Sequence, residues 1–452
     1  MWTRRTGQGQ VAALRSGGGA PVNEWIRRRL PELLEEHGVV GAQVAVLHNG
    51  EFVDAAAGVR NVDTNEPVTG DTFFQIGSIT KVWTATLVMQ LVNEGLLDLD
   101  RPVRDALPEF RIADEEAARI ITPRQLLCHT AGFDGDLRFE TGSGDDMLAK
   151  YVGLLSEAGQ ISPPGELYSY CNAGYVVLGR IVEVVRGKPF RAVLHERFGL
   201  RSFAASQAEY ALHEMADGHL DEDGELRPTT DHLPESWAPS GAVLAMSARE
   251  LLEFVRMHLE TTEFDAMREP QATHPDFGTG EWWWGLGWEL SNVEGGTMIG
   301  HTGSTVGYTS VVRVVPEAGV AVAVLVNGSK AAWPFFAAIL DHLLGELAGV
   351  RTRKLPDVPA DPIPADPGKL AGLYRSTLLD VHITPGATGV LVKRVGRDPL
   401  SAALLSAEER EFVHLTDDVL IAVDKSGVLP LGGRDENGRV GWVHWSRAAM
   451  RV

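Results

Sequence analysis

A chain of 452 residues, 44% hydrophobic and 23% charged, has the composition of a soluble globular protein and exceeds what one core serves, so two domains are expected. A formal net charge of −20 would be repelled by nucleic-acid backbones and by anionic membrane surfaces, which argues against both as partners. No apolar run is long enough to span a bilayer, and two cysteines make no disulfide framework.

Residues 1–20 carry paired arginines but only a four-residue apolar patch, Val11 to Leu14. That is too short for an export signal, so this stretch reads as a disordered tail on a cytoplasmic protein. Val22 to His37 has helical apolar spacing at Trp25, Ile26, Leu30, Leu33 and Leu34, with Gly38 where a C-terminal cap belongs. Ala42 to Gly58 is two apolar runs around Asn49-Gly50, a hairpin signal. From Gln75 the chain reads "QIGSITKVWTATLVMQLVNEGLL", a polar, glycine-punctuated opening followed by a buried helix. Helical patterns fill the middle. A strand is then expected in "GTMIGHTG", followed by a second hairpin of "YTSVVRVV", "PEAG" and "VAVAVLVN". Strand signals at both ends of one region predict an antiparallel sheet assembled from those ends, with helices packed on it.

Residues 351–369 hold prolines at 356, 359, 362, 364 and 367 and read as a stiff linker. From 370 to 452, short apolar runs ("LDVHIT", "GVLVKR", "EFVHLT", "VLIAVD", "VGWVHW") alternate with turn clusters. This is the pattern of a small all-β barrel.

Chemistry concentrates in three places. Ser78 and Lys81 are three apart at the mouth of the expected helix, which puts both side chains on one face. A serine hydroxyl needs a base to become a nucleophile, and a lysine is that base only where burial or positive potential lowers its pKa. The helix N-terminus supplies such potential. Taken alone, the pair would read better as a serine N-cap followed by a solvated lysine, since such pairs are common by chance. It is accompanied by Tyr170 and Asn172 in "PPGELYSYCNAGY" and by His301, Thr302 and Gly303 in "MIGHTGSTVGY".

The order and context of these motifs resemble the serine β-lactamase and penicillin-binding-protein superfamily, especially its class C-like branch of esterases, D-aminopeptidases and transacylases. "FQIGSITK", "ITPRQLLCHTAGF", "GLGW" and "GHTGSTVGYTSVV" carry the same resemblance, which spans Pro21 to Gly349. It implies an α/β (α+β) domain over 21–350, an antiparallel sheet flanked by helices with a helical subdomain. It also implies that Ser78 is acylated and that Lys81 takes its proton. Tyr170, with its pKa lowered by Lys81, would share the base role and protonate the leaving group. Asn172 would bond Lys81 and the substrate amide. Thr302, Gly303 and Ser304 would bind substrate, with the amides of Ser78 and Ser304 as oxyanion hole.

The departure is His301, where related Lys-Thr-Gly motifs place a lysine. A neutral histidine weakens the anchor for a substrate carboxylate, which points away from efficient β-lactam hydrolysis. No cofactor or metal is implied. Around "LAGLYRS" and "WVHWSRAAM" the terminal barrel resembles the lipocalin-like domain of D-aminopeptidase relatives and penicillin-binding-protein-type thioesterases. It is either an appendage for folding or dimerisation or a lid over the site.

The function expected is a serine hydrolase acting on small esters, amides or peptides, D-configured residues included. The alternative is a transacylase or peptide cyclase resolving the same acyl-enzyme with an amine or alcohol. A non-catalytic sensor stands further off. His129 reads as structural, Cys128 and Cys171 as buried free thiols with a redox pair the lesser alternative, and Trp282 to Trp284 as either an acyl-pocket wall or packing.

Overall fold

The computed structural model describes residues 19–198, 203–398, 401–402 and 408–452. The expected tail lies outside these residues except for Gly19 and Ala20, which already belong to the first helix, Gly19–His37. That helix buries Ile26, Leu30, Leu33 and Leu34, the apolar face its spacing predicts. The strands Gly41–His48 and Glu51–Gly58 pair from His48↔Glu51 to Gly41↔Gly58. Asn49 and Gly50 turn between them with φ of 54° and 78°, the double left-handed geometry that a two-residue hairpin requires.

The first hairpin of the chain lies beside the last hairpin of the sheet, because Gly41–His48 pairs antiparallel with Val320–Val326. The eight-stranded order continues from there through Tyr308–Val315, Gly296–Thr305, Glu289–Val293, Trp282–Trp284 and Ala272–Thr273. Val320–Val326 ("VAVAVLV") is buried throughout, as a strand covered on both faces must be. Its period of two divides the cores. Val320, Val322, Val324 and Val326 meet the helices Gly19–His37 and Ala332–Ala348. Ala321, Ala323 and Leu325 meet the larger core, which includes the helices Thr80–Asn93, Asn172–Arg186 and Ala248–Glu260.

The terminal region is a closed barrel of eight antiparallel strands, filled by side chains such as Tyr374, Val381, Ile383, Phe412, Leu429 and Val443. Five of its strands fall in the apolar runs named above. Gly372–Arg375, Val428–Gly432 and Ala448–Arg451 do not, since they are short, proline-interrupted or alanine-rich. Residues 351–369 are fastened to both sides. Arg353 donates to the Asn292 carbonyl and lies over the Trp282 ring, while Val358 packs with Phe277 against the barrel cluster of Val413, Val419, Ile421 and Val428. Among the described residues no helix is long and apolar enough to cross a membrane.

Candidate active site

A single 3-10 turn, Gly77–Ile79, leads into the helix Thr80–Asn93. Ser78 stands on that turn, partly exposed to a cavity of about 670 Å³. It is not the helix cap, which falls at Ile79 without a side-chain hydrogen bond. Gly77 has φ +54°, and a Cβ there would lie 2.6 Å from the Ser304 nitrogen. A Cβ on Gly303 would lie 2.0 Å from the Ile76 carbonyl oxygen. The two glycines therefore let the serine turn and the His301 strand meet backbone to backbone, with the Ser304 amide beside Gly77. Pairing of that strand with Glu289–Val293 ends at Gly300, so from His301 onward its edge is not paired with that neighbour.

Lys81 is 0% exposed. Its Nζ lies 3.2 Å from Ser78 Oγ, 2.7 Å from Asn172 Oδ1 and 2.6 Å from the Ser240 carbonyl oxygen. Burial, reinforced by the Arg447 cation and opposed by Asp136, holds its pKa well below the usual lysine value. In its neutral form the amine has two hydrogens, which the two carbonyl oxygens are placed to accept. Its lone pair is then left for the Ser78 hydroxyl.

Asn172 opens the helix Asn172–Arg186, capped by Cys171 Sγ accepting from the Gly174 amide. Its Nδ2 donates to Asp136 Oδ1 at 2.6 Å. Tyr170 packs tilted against His129 and edge-on to Trp284 and His301, and its ring centre is 4.7 Å from Lys81 Nζ. The expectation of a lowered phenol pKa is corrected here. Burial raises it above the ordinary tyrosine value, and the hydrogen bond with Ser78 and the charge of Arg447 oppose that without reversing it. Held above the ordinary tyrosine value by burial, Tyr170 keeps its proton near neutral pH and is a phenol able to donate.

His301 is 1% exposed, and burial followed by Lys81 lowers its pKa to about 3. Its Nδ1 is 2.5 Å from the Thr302 carbonyl oxygen, which only accepts. The proton therefore sits on Nδ1, and the buried Nε2, without a protein partner, is an acceptor. Thr302 and Ser304 line the cavity, whereas Gly303 serves the close approach to Ile76.

Trp282, Trp283 and Trp284 all line the cavity, so the aromatic run is a wall as well as packing. His129 is buried and accepts the Cys171 amide hydrogen at Nδ1, 3.1 Å away. Cys128 and Cys171 are buried free thiols. Burial pushes the Cys171 thiol up to about 12. Among the described residues no group of three or more His, Cys, Asp or Glu is placed to hold a metal.

Asp136 and Arg447 are among the charged cavity residues that escape motif reading. They form an ion pair across the two regions. Leu378, Ser446 and Arg447 bring the barrel into the cavity wall. Ser446 accepts the Tyr170 amide hydrogen at 3.0 Å, and Arg447 lies 5.0 Å from the Tyr170 ring centre. The one available signal was an arginine inside "WVHWSRAAM", flanked by small residues.

The profile of the family described as Beta-lactamase matches residues 26–345. "Penicillin-binding protein 4" of Amycolatopsis lactamdurans is 41% identical, over 77% of this chain and 96% of its own. The solved structure of SurE with D-Leu is similar at 27% identity and TM-score 0.75, covering 96% of this chain and 100% of that one. The D-amino acid amidase from Ochrobactrum anthropi SV3, complexed with L-phenylalanine amide, shows 25% identity and TM-score 0.58, covering 68% of this chain and 91% of that one.

Proposed function

Because the chain belongs to the β-lactamase family, we propose that it is a serine hydrolase working through an acyl-Ser78 intermediate on amides or esters, D-configured residues included. The observation that carries this is the buried Lys81 amine, its hydrogens taken by Asn172 and Ser240 and its nitrogen 3.2 Å from Ser78 Oγ. Ser78 Oγ attacks the substrate carbonyl carbon and its proton passes to Lys81 Nζ. The amides of Ser78 and Ser304 stabilise the oxyanion. Tyr170 gives its hydroxyl proton to the leaving group and is reprotonated from the Lys81 ammonium. Water then reverses these steps. His301, neutral with a bare Nε2, offers an acceptor rather than a carboxylate anchor, so β-lactam hydrolysis is weak. The similarity to SurE with D-Leu and to a D-amino acid amidase supports D-configured substrates.

A second reading, acyl transfer to an amine or alcohol, is favoured by the barrel's share of the wall. Leu378, Ser446 and Arg447 help enclose a cavity of about 670 Å³, room for a second substrate beside the acyl group. The test is intact mass after exposure to p-nitrophenyl esters and to D- and L-aminoacyl amides, repeated with added amine. An acyl adduct that forms, clears and is absent in Ser78→Ala supports the hydrolase. Partition of the adduct into amide product supports transfer. An adduct that persists in Ser78→Ala overturns both.

A further inference from the structure

The Asp136 carboxylate is 3% exposed and meets two donors. Asn172 Nδ2 is 2.6 Å from Oδ1, and the Arg447 guanidinium spans both oxygens, with Nη2 3.2 Å from Oδ1. An ionised carboxylate only accepts. It therefore fixes the Asn172 amide with nitrogen toward Asp136 and oxygen toward Lys81, 2.7 Å away. Arg447 stands at the tip of the hairpin between strands Trp442–His444 and Ala448–Arg451. Three hydrogen bonds tie that tip down. Tyr170 N–H donates to the Ser446 carbonyl, the Ala448 amide to Ser169 Oγ, and His444 Nε2 to the Tyr168 carbonyl. We propose that the barrel completes the catalytic machinery, with Arg447, clamped on Asp136, acting as a positioning residue for Lys81 through Asn172.

The charges around Lys81 support this. His129 and His301 face it and are held neutral by burial. Cys171, Tyr170 and Tyr175 face it and are held protonated by burial. That leaves Asp136 and Arg447 as the charged groups acting on Lys81 near neutral pH. The carboxylate favours an ammonium at Lys81 and the guanidinium opposes it. With Arg447 removed, the unpaired carboxylate stabilises the Lys81 ammonium and the base is lost at higher pH. With Asp136 neutralised, the guanidinium acts alone and the base survives to lower pH.

The inference rests on the reading of Lys81 as the base. Its test is the pH dependence of kcat/KM with p-nitrophenyl acetate, a neutral ester that offers Arg447 no carboxylate to bind. Arg447→Gln should move the acid limb up by on the order of half to one pH unit, and Asp136→Asn should move it down by a similar amount. Arg447→Lys should restore the native limb, and the double variant should fall between the two singles. A loss of packing alone would not send two neighbours' limbs in opposite directions. Limbs that coincide with the native one, or that move the same way, overturn the proposal. If Arg447→Gln does not fold, the near-isosteric Asp136→Asn decides by its direction. Lys81→Met separates the two layers. If it retains turnover, the base reading itself fails. If it is inactive while the other limbs stay put, only the Arg447 clamp fails.

Discussion

A Cβ on Gly77 would stand 2.6 Å from the backbone nitrogen of Ser304. The residue before the proposed nucleophile and the amide proposed to hold the oxyanion thus lie too close for any side chain to fit between them. Gly77→Ala meets both this contact and a φ of +54°, a conformation that costs a non-glycine residue about 1–3 kcal/mol. The strand and the serine turn must part, and an oxyanion donor is worth about 10²–10³ in rate. Turnover of a p-nitrophenyl ester should therefore fall by roughly 10² or more, with the melting temperature lowered by only a few degrees.

His301→Lys tests what the neutral imidazole withholds. An ammonium at this position of the strand would give a carboxylate-bearing substrate a charge-assisted partner. A chromogenic cephalosporin should gain roughly tenfold in kcat/KM, while a neutral ester gains nothing. Equal changes for both substrates would show that residue 301 does not read substrate charge.

Stability should fall as pH drops below about 6.5, and the buried histidines set the sign. Burial lowers His258, His301 and His444 to about 3 and His274 to about 4. The unfolded chain takes up protons from pH 6.5 downward that the native state refuses. Unfolding is then favoured by about 1.4 kcal/mol per pH unit for each histidine until its folded pKa is reached. His258 is remote from the cavity and sits 2.9 Å from Thr86 Oγ1, a contact that glutamine can keep. Melting temperature followed from pH 7 to pH 5 should fall less steeply for His258→Gln, by about one proton's worth of linkage. An unchanged slope would place that proton elsewhere.

What could be read in advance was what is local in the chain. Asn49-Gly50 announces its turn because only two residues decide it. Ser78 and Lys81 share a face because they are one helical turn apart. The sheet's two-ended assembly was legible from where strand-like runs occur. The Asp136–Arg447 pair was not, since its members are 311 positions apart and meet only once the barrel is docked. The phenol of Tyr170 was misjudged for a related reason. Its motif names the residue, but the burial that raises its pKa comes from Trp284, His129 and the barrel hairpin folded round it. The missed strands Val428–Gly432 and Ala448–Arg451 form because closing the barrel supplies partners for both their edges, and local propensity had little part in it.

Ser446 has φ +55° and offers its carbonyl to the Tyr170 amide at 3.0 Å. Serine tolerates a single left-handed position, whereas a β-branched residue there is a true outlier. Ser446→Val should therefore cost about 1–2 kcal/mol and shift the hairpin tip, drawing the Tyr170 backbone with it. Tyr170 is the proposed proton donor to the leaving group, so the loss should grow as that group becomes more basic. An aminoacyl anilide should suffer more than a p-nitrophenyl ester, whose phenolate leaves without help. Ser446→Gly, which removes the backbone strain and keeps the carbonyl, should leave both rates near native. If Ser446→Val slowed ester and anilide equally, the barrel hairpin would be holding the cavity's shape and not the position of the phenol.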